Sequence, residues 1–278
     1  MTVRIRTSPG SRRVQLLGRR MLAAVFFGGV ASTSLPAQTD YYNTSAGRPL
    51  RVEDALPLEY RGVELNLAPL RWESARNSTY RWSLEPEIAV GILPRTQLQI
   101  GVPFAFVDGP SSSARGVAGL ELAALHALNA ETSIPALAVA ADVLLPVGPL
   151  GPGAAYGTFK GILTRTFRVA RVHANAQITA GPTPDSIDTE ALDVEASRWL
   201  AGIAVDKTFP LRSILLSVEG FAEQPLASSA PVTWNAGAGA RVQLSPRWAF
   251  DAGVGRRLTG NDQAWYVTFG SAYALGIP

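Results

Sequence analysis

The sequence predicts an all-β protein: a transmembrane, antiparallel up-and-down β-barrel of about 12 strands. Three observations carry that expectation. Runs of strict apolar–polar alternation recur along the chain, as a half-buried strand requires. The connections between them are short and long by turns. Beyond the first forty or so residues, no apolar run reaches the roughly 20 residues a helix needs to cross a bilayer. The stretch "TWNAGAGARVQL" (233–244) shows the first point most clearly. Trp234, Ala236, Ala238, Ala240, Val242 and Leu244 fall on one face, with Thr233, Asn235, Gly237, Gly239, Arg241 and Gln243 on the other.

The chain opens with a segment of a different kind. Six of its 25 basic residues, Arg4, Arg6, Arg12, Arg13, Arg19 and Arg20, stand in the first 37 positions, which hold no acid. Without them 19 bases face 22 acids, so the net charge of +3 belongs to the leader and says nothing about nucleic acid. The basic stretch precedes an apolar run from Leu22 to Ala31 and small residues up to Ala37. That order reads as a secretory signal peptide over 1–37. The chain has no Cys, which excludes disulfides, thiolate catalysis and Cys-ligated metals. Residues 38–59, polar and Pro-containing, read as a periplasmic N-terminal segment or partial plug, and 60–278 as an outer-membrane β-barrel.

Strand-like runs cover 60–68, 80–91, 97–107, 116–128, 136–146, 156–167, 171–180, 196–208, 213–223, 232–244, 248–258 and 264–275. Most have 9–13 residues, about what a tilted strand needs to cross a hydrocarbon layer. After every second strand the link is short, as in "ILPRT", "RVA", "PLR" and "SPR". The alternate links are mostly longer, as in "APLRWESARNST", "DGPSSSAR" and "GPTPDSIDTEALDVEA", with "TGNDQ" a short exception. Outer-membrane barrels have this asymmetry, with short periplasmic turns and long external loops. A soluble sandwich has no reason to sort its loops by parity. Aromatics on the apolar phase also gather at strand ends (Phe159 and Phe167, Trp199 and Phe209, Trp265 and Tyr273), where two membrane–water interfaces would lie. On this reading the Trp234 face meets lipid and the Arg241 face meets water.

The stretch "GVAGLELAALHALNAETSIPALAVAADVLLPVG" (116–148) resembles a hairpin of the outer-membrane β-barrel transporter family linked to the meta-pathway of phenol degradation. That family carries a Gly-Asp-Leu-x-Leu-Gly-Leu-Lys-Tyr-Arg strand, then a Pro-Ala-Leu-Ala strand ending in Leu-Pro-Thr-Gly. Leu120, Leu122, Pro135, Ala136, Leu137, Pro146 and Gly148 match it. Gly119, Leu125 and Ala127 stand where the pattern has Asp, Lys and Arg, and Val147 where it has Thr. "GRPLRVEDALPLEYRGVELNL" (47–67) and "LEPEIAVGILPRTQLQIGVPF" (84–104) resemble the family's entry and first hairpin. These motifs mark turns and strand ends, and none is catalytic. The resemblance implies a transporter of small solutes, with hydrophobic or aromatic compounds among the candidates.

Chemistry-bearing residues are sparse. Of the two histidines, His126 falls on the lipid phase and His173 on the lumen phase. Neither stands in metal-ligand spacing, so no catalytic or metal residue is assigned and no cofactor is implied. "DSIDTEALDVE" (185–195) reads as a solvated outer loop. The lumen phase holds the acids Glu64, Glu85, Glu87, Glu121, Asp142, Asp206, Glu219, Glu223 and Asp251, and the bases Arg81, Lys160, Arg198 and Arg241. Charges inside a membrane protein need partners or water. Pore-lining candidates are therefore Glu85, Glu87, Glu121, Asp142, Lys160, His173, Glu219, Arg241 and Asp251. The glycines around 237–239 would keep the lumen open or admit a close neighbour, so Arg at Gly239 should be milder than Arg at lipid-facing Ala238.

These residues point to an outer-membrane channel or transporter, exported through a signal peptide and passing small solutes passively. Expected partners are outer-membrane lipid, small-molecule solutes and the barrel-assembly machinery during biogenesis, with no nucleic acid. Two other readings stay open: a membrane-embedded lipid-modifying hydrolase, and a closed structural surface barrel. Loop parity makes the topology testable. Epitope tags in 108–115 and 183–193 should be reachable on intact cells, and tags at Arg95 or Arg247 should not. Labelling of the Arg247 tag on sealed cells would invert the barrel.

Overall fold

The computed structural model describes residues 43–45, 48–74, 80–109, 113–183, 196–226, 231–259 and 264–276. The leader read at 1–37, the first residues of the segment after it and the acidic run 185–195 lie outside them. The strands are β1 (Gly62–Ser74), β2 (Tyr80–Leu93), β3 (Thr96–Gly101), β4 (Phe104–Asp108), β5 (Ser113–Val117), β6 (Leu120–Ala127), β7 (Ala136–Leu145), β8 (Tyr156–Thr166), β9 (Arg171–Ala180), β10 (Ser197–Phe209), β11 (Ile214–Pro225), β12 (Thr233–Ser245), β13 (Trp248–Arg257) and β14 (Trp265–Gly276).

These 14 segments make a closed antiparallel barrel of 12 wall strands. β3 and β4 are one wall strand interrupted at Val102–Pro103, since both pair with β2, and β5 and β6 are another, interrupted at Ala118–Gly119. Pro103 has no N–H to give a ladder. The break is bridged by Val102 N–H donating to the Pro86 carbonyl at 3.1 Å and Ala118 N–H to the Pro103 carbonyl at 2.7 Å. β1 closes the ring by pairing with β14 on one side and β2 on the other.

Strand positions follow the sequence reading, with one informative difference. The first strand was expected to end near residue 68, but β1 runs on to Ser74. Its registers shift between Asn66 and Leu70, so Ala68 and Pro69 form a bulge against β2. A bulge accommodates a residue that cannot donate, and beyond it the ladder resumes. Pro69 looks like a strand end in sequence and is only a bulge in space.

The two faces have the predicted polarity. Trp234 is 57% exposed and Arg241 is 1% exposed. Leu98, Ile100, Leu122, Ile203, Val218 and Phe269 all lie open on the outside. Trp72 sits beside Tyr80 and Trp82 at the loop end, with ring centroids 6.2 and 6.3 Å away. Trp248 meets Tyr273 at 4.7 Å and Phe250 at 5.8 Å at the turn end. An apolar outer wall between two aromatic bands, around a polar interior, suits hydrocarbon outside and water within.

The interior is not left to water alone, because residues 48–58 run through it. Their main-chain groups bond to inward-facing side chains of successive strands. Thr268 Oγ1 donates to the Pro49 carbonyl at 2.9 Å. Glu219 accepts the N–H groups of Arg51 and Val52, each at 2.9 Å. Asn175 Oδ1 accepts from Glu53 N–H at 2.8 Å while its Nδ2 donates to the Glu53 carbonyl at 2.9 Å. Thr164 accepts from Ala55 N–H at 2.9 Å, and Gln97 from Leu58 N–H at 2.7 Å. An isolated extended segment has no ladder partner, so these side chains satisfy it.

The lumen glycines are where this segment fits. A Cβ on Gly253 would lie 2.4 Å from the Pro49 carbonyl oxygen, one on Gly239 2.7 Å from the Pro49 side chain, and one on Gly202 2.8 Å from Val52. Of the two roles open to Gly239 in the sequence, the close neighbour is the one observed. The expectation that Arg would be mild there is therefore corrected: it would drive into Pro49.

Two substitutions separate the faces. Ala238→Arg, on the exposed outer face, should cost about 2–4 kcal/mol in folding into lipid bilayers. Gly253→Val should leave the barrel folded but expel the inner segment, since the blocking atom is backbone. Limited trypsin digestion after Arg51 then becomes fast. Equal resistance at Arg51 in Gly253→Val and the parent would disprove the steric account.

Candidate functional site: the lumen and the segment that crosses it

Among the described residues, ion-paired side chains inside the barrel form four groups. At the loop end Glu73, 2% exposed, is met by Arg71 at 3.4 Å, Arg257 at 3.5 Å and Arg81 at 3.6 Å. These come from β1, β2 and β13 and so straddle the closure of the barrel. Arg71 also lies over the Tyr266 ring at 3.9 Å.

Deeper in, Arg48 of the inner segment reaches Glu64 at 3.8 Å and Asp251 at 4.0 Å, and Asp251 also faces Arg241 at 3.8 Å. Two guanidinium groups and two carboxylates therefore balance there, all nearly free of solvent. Such a group holds position only with its partners in place, because removing one strands a buried charge. Opposite, Lys160 of β8 bonds Glu53 of the segment at 2.5 Å.

The fourth group lies toward the turn end. Arg171 grips Asp206 through Nε at 2.9 Å and Nη2 at 2.6 Å, and its Nη1 faces Asp54 of the segment at 3.6 Å. His173 Nε2 meets Asp206 at 2.9 Å and its Nδ1 meets Thr164 Oγ1, also at 2.9 Å. Asp54 accepts the N–H of Thr44 and of Leu56, both at 3.1 Å. Burial pushes its carboxyl up to about 6, against the opposing pull of Arg171 and His173.

Below this group Ala55 is fully buried against Leu125, Ala127, Ala136, Ala138 and Ile162. Leu125 and Ala127 stand where the resembling family's motif has Lys and Arg. Their apolar side chains make the seat that Ala55 occupies.

The segment packs mainly on the β8–β14 side and leaves a cavity of about 130 Å³ toward β1, β2, β3, β6 and β7. That is the space of about four waters. Its wall carries Glu87, Gln97, Gln99, Glu121 and Asp142, and in the full lining carboxylates outnumber bases seven to two. Glu87 accepts from Gln99 at 2.6 Å and from Asn66 at 3.3 Å, so its charge is held in place facing the passage.

Of the nine pore-lining candidates, Glu87, Glu121, Asp142, Lys160 and Arg241 line this cavity. Glu85 is buried in the wall beside Gly101, Glu219 anchors the segment, Asp251 lies in the balanced group and His173 lies beneath the segment. Arg198 instead donates to carbonyls of Gly181, Pro182 and Leu226 at the loop end. Arg171 and Arg257 were missed although they share the phase of His173 and Asp251. Arg71 and Glu73 lay beyond Pro69, where the sequence reads as a loop.

Outside the barrel, His126 accepts or donates to Thr96 Oγ1 at 2.9 Å on the exposed face. Arg165, the charged misfit of the lipid phase, pairs with Glu131 at 3.5 Å and donates to the Thr132 carbonyl at the turn end.

No protein-family model matches the sequence, and no curated protein matches it in sequence. Solved structures match the fold. The chain is similar to the COG4313 outer membrane channel from Pseudomonas putida F1, with 12% identity, a TM-score of 0.55, and 80% of this chain and 98% of that one covered. The beta domain of the Bordetella autotransporter BrkA gives 12% identity and a TM-score of 0.49, covering 77% and 99%. The KdgM porin gives 11% and 0.48, covering 76% and 98%. At 12% identity the likeness to the first of these is one of fold, a closed β-barrel.

Proposed function

We propose that this protein is an outer-membrane channel for passive passage of small solutes, exported through the leader at 1–37 and narrowed by its own residues 48–59. The observation that carries this reading is the cavity between that segment and β1–β7, a polar passage inside a barrel whose outer wall is apolar. The first solved structure compared is itself described as an outer membrane channel, which agrees with it.

The lining bears on cargo. Resemblance to the phenol-linked family would suggest hydrophobic or aromatic solutes. Glu87, Glu121, Asp142, Gln97 and Gln99 instead favour small polar solutes, with cations preferred, since acids in a low-dielectric wall concentrate their field on the passage.

The hydrolase reading meets one specific arrangement, Asp206–His173–Thr164, a carboxylate–imidazole–hydroxyl chain with 2.9 Å links. Thr164 is 2% exposed and its Oγ1 already accepts Ala55 N–H, so no substrate carbonyl reaches it. The chain serves as an anchor for the segment.

Single-channel recording in a salt gradient tests the channel reading. The intact protein should show small, weakly cation-selective conductance, and deletion of 39–55 should raise it several-fold. Glu87→Gln with Glu121→Gln should move the reversal potential toward zero. Anion preference, or a potential unmoved by these changes, would remove the lining argument. A folded deletion variant that passes no current would support a closed barrel.

A further inference from the structure

The acidic side of the lumen is laid out in rows that cross the strands. Pairing sets Asn66 of β1 beside Glu87 of β2, then Gly101 of β3 and Glu121 of β6. One step toward the turn end, the inward row is Glu64, Ala89, Gln99, Ala123 and Asp142. Small residues interrupt both rows, which notches the wall instead of filling it. A Cβ on Gly101 would lie 2.6 Å from Glu85 Oε1 and 3.3 Å from Glu87 Cγ, so glycine there lets two carboxylates close in.

Three amides of this wall pass donors to one acid. Leu58 N–H donates to Gln97 at 2.7 Å, Gln97 Nε2 to Gln99 Oε1 at 3.1 Å, and Gln99 Nε2 to Glu87 Oε2 at 2.6 Å. Asn66 Nδ2 donates to the same Glu87 oxygen at 3.3 Å. That bond fixes which way the Asn66 amide faces and leaves its Oδ1 over. Asn66 borders the cavity, is 2% exposed, and its Oδ1 has no hydrogen-bond partner among the described residues. From the inner segment Thr44 borders the same cavity, is 8% exposed, and its Oγ1 also lacks a partner among them. A buried acceptor left without a donor is costly.

The nearby bases are committed to other acids. Lys160 is bonded to Glu53, Arg241 faces Asp251, and Arg48 faces Glu64 and Asp251. No group of three or more His, Asp or Glu side chains among the described residues is arranged to hold a metal ion. What Asn66, Glu87 and Glu121 hold toward a solute is therefore negative charge and an open neutral acceptor. A quaternary ammonium ion would answer the charge alone. A protonated amine or a guanidinium group answers both, because it carries its charge on N–H donors.

We propose that Asn66, Glu87 and Glu121 form a binding subsite, on the passage through the barrel, for organic cations that carry N–H groups: protonated amines and guanidinium compounds. The cavity of about 130 Å³ admits one such head group. The inference rests on the channel reading above and gives its solute class, but the subsite can be tested without conduction.

Methylguanidinium and tetramethylammonium, equal in charge and in heavy atoms, separate recognition of donors from recognition of charge. In planar bilayers bathed in KCl, methylguanidinium should block the potassium current with saturation, and tetramethylammonium should need about tenfold more. Calorimetric titration of the detergent-solubilised protein should give the same order. Asn66→Leu, of similar size, should weaken methylguanidinium about tenfold and bring the two probes level. Glu121→Gln should weaken both by a similar factor, since it removes charge and keeps the acceptor.

Equal affinity for the two probes in the parent would overturn the subsite, leaving the acidic lining to act by charge alone. So would a folded Asn66→Leu that still prefers methylguanidinium, or a Glu121→Gln that binds both probes as the parent does. Potassium current with neither block nor calorimetric binding would overturn the subsite and leave the channel standing. Methylguanidinium binding that Asn66→Leu weakens, in a barrel that passes no current, would uphold the subsite and break the channel reading.

Discussion

In hydrocarbon every backbone N–H and C=O must find a partner within the protein, and a sheet meets that demand only by leaving no edge. The pairing of β1 with β14 is where this chain meets it. The rest follows from that closure. Twelve strands enclose more space than their inward side chains fill, lying between eight-stranded barrels packed solid and the aqueous porins of sixteen or more. The residual volume has to hold water, solute or more protein. Here much of it holds residues 48–58.

That filling is anchored by polar groups. The segment lies across the strands without joining the sheet, and Thr268, Glu219, Asn175, Thr164 and Gln97 act as a discontinuous ladder for its main chain. Small residues opposite these anchors, Gly253, Gly239 and Gly202, let the backbone come close enough to use them. Net bonding of this kind is modest per bond. Leu50, Val52 and Ala55 of the segment are buried as well and add an apolar contribution.

Charge is distributed to match. Around Glu73 three arginines tie β1, β2 and β13 together near the closure. On the β8–β14 side acids and bases are matched across the segment. Toward β1–β7, which the segment touches through Leu58 and the seat of Ala55, the remaining wall is acidic and faces the cavity. One barrel thus has a braced half and a wet half, divided by the course of a short N-terminal stretch.

Much of this was legible in the sequence. Alternation named the outer and inner faces of most strands, because a strand's two sides have a period of two and one of them had to be apolar for lipid. Loop parity and strand length named the barrel. Arg171 and Arg257, which share the parity of His173 and Asp251, were legible by phase but were missed. What the sequence could not show was Arg71 and Glu73 on the wall, since Pro69 ends a strand in one dimension and only bulges it when neighbours on both sides restore the ladder. Nor could it show the roles of individual lumen charges. Glu87 and Glu219 share the inner face, yet one borders the cavity and the other anchors Arg51 and Val52. That choice was made by the path of the inner segment. Its bonds to Thr268, Glu219, Asn175, Thr164 and Gln97 join residues from about 40 to 220 positions away, and no local pattern encodes contacts so distant.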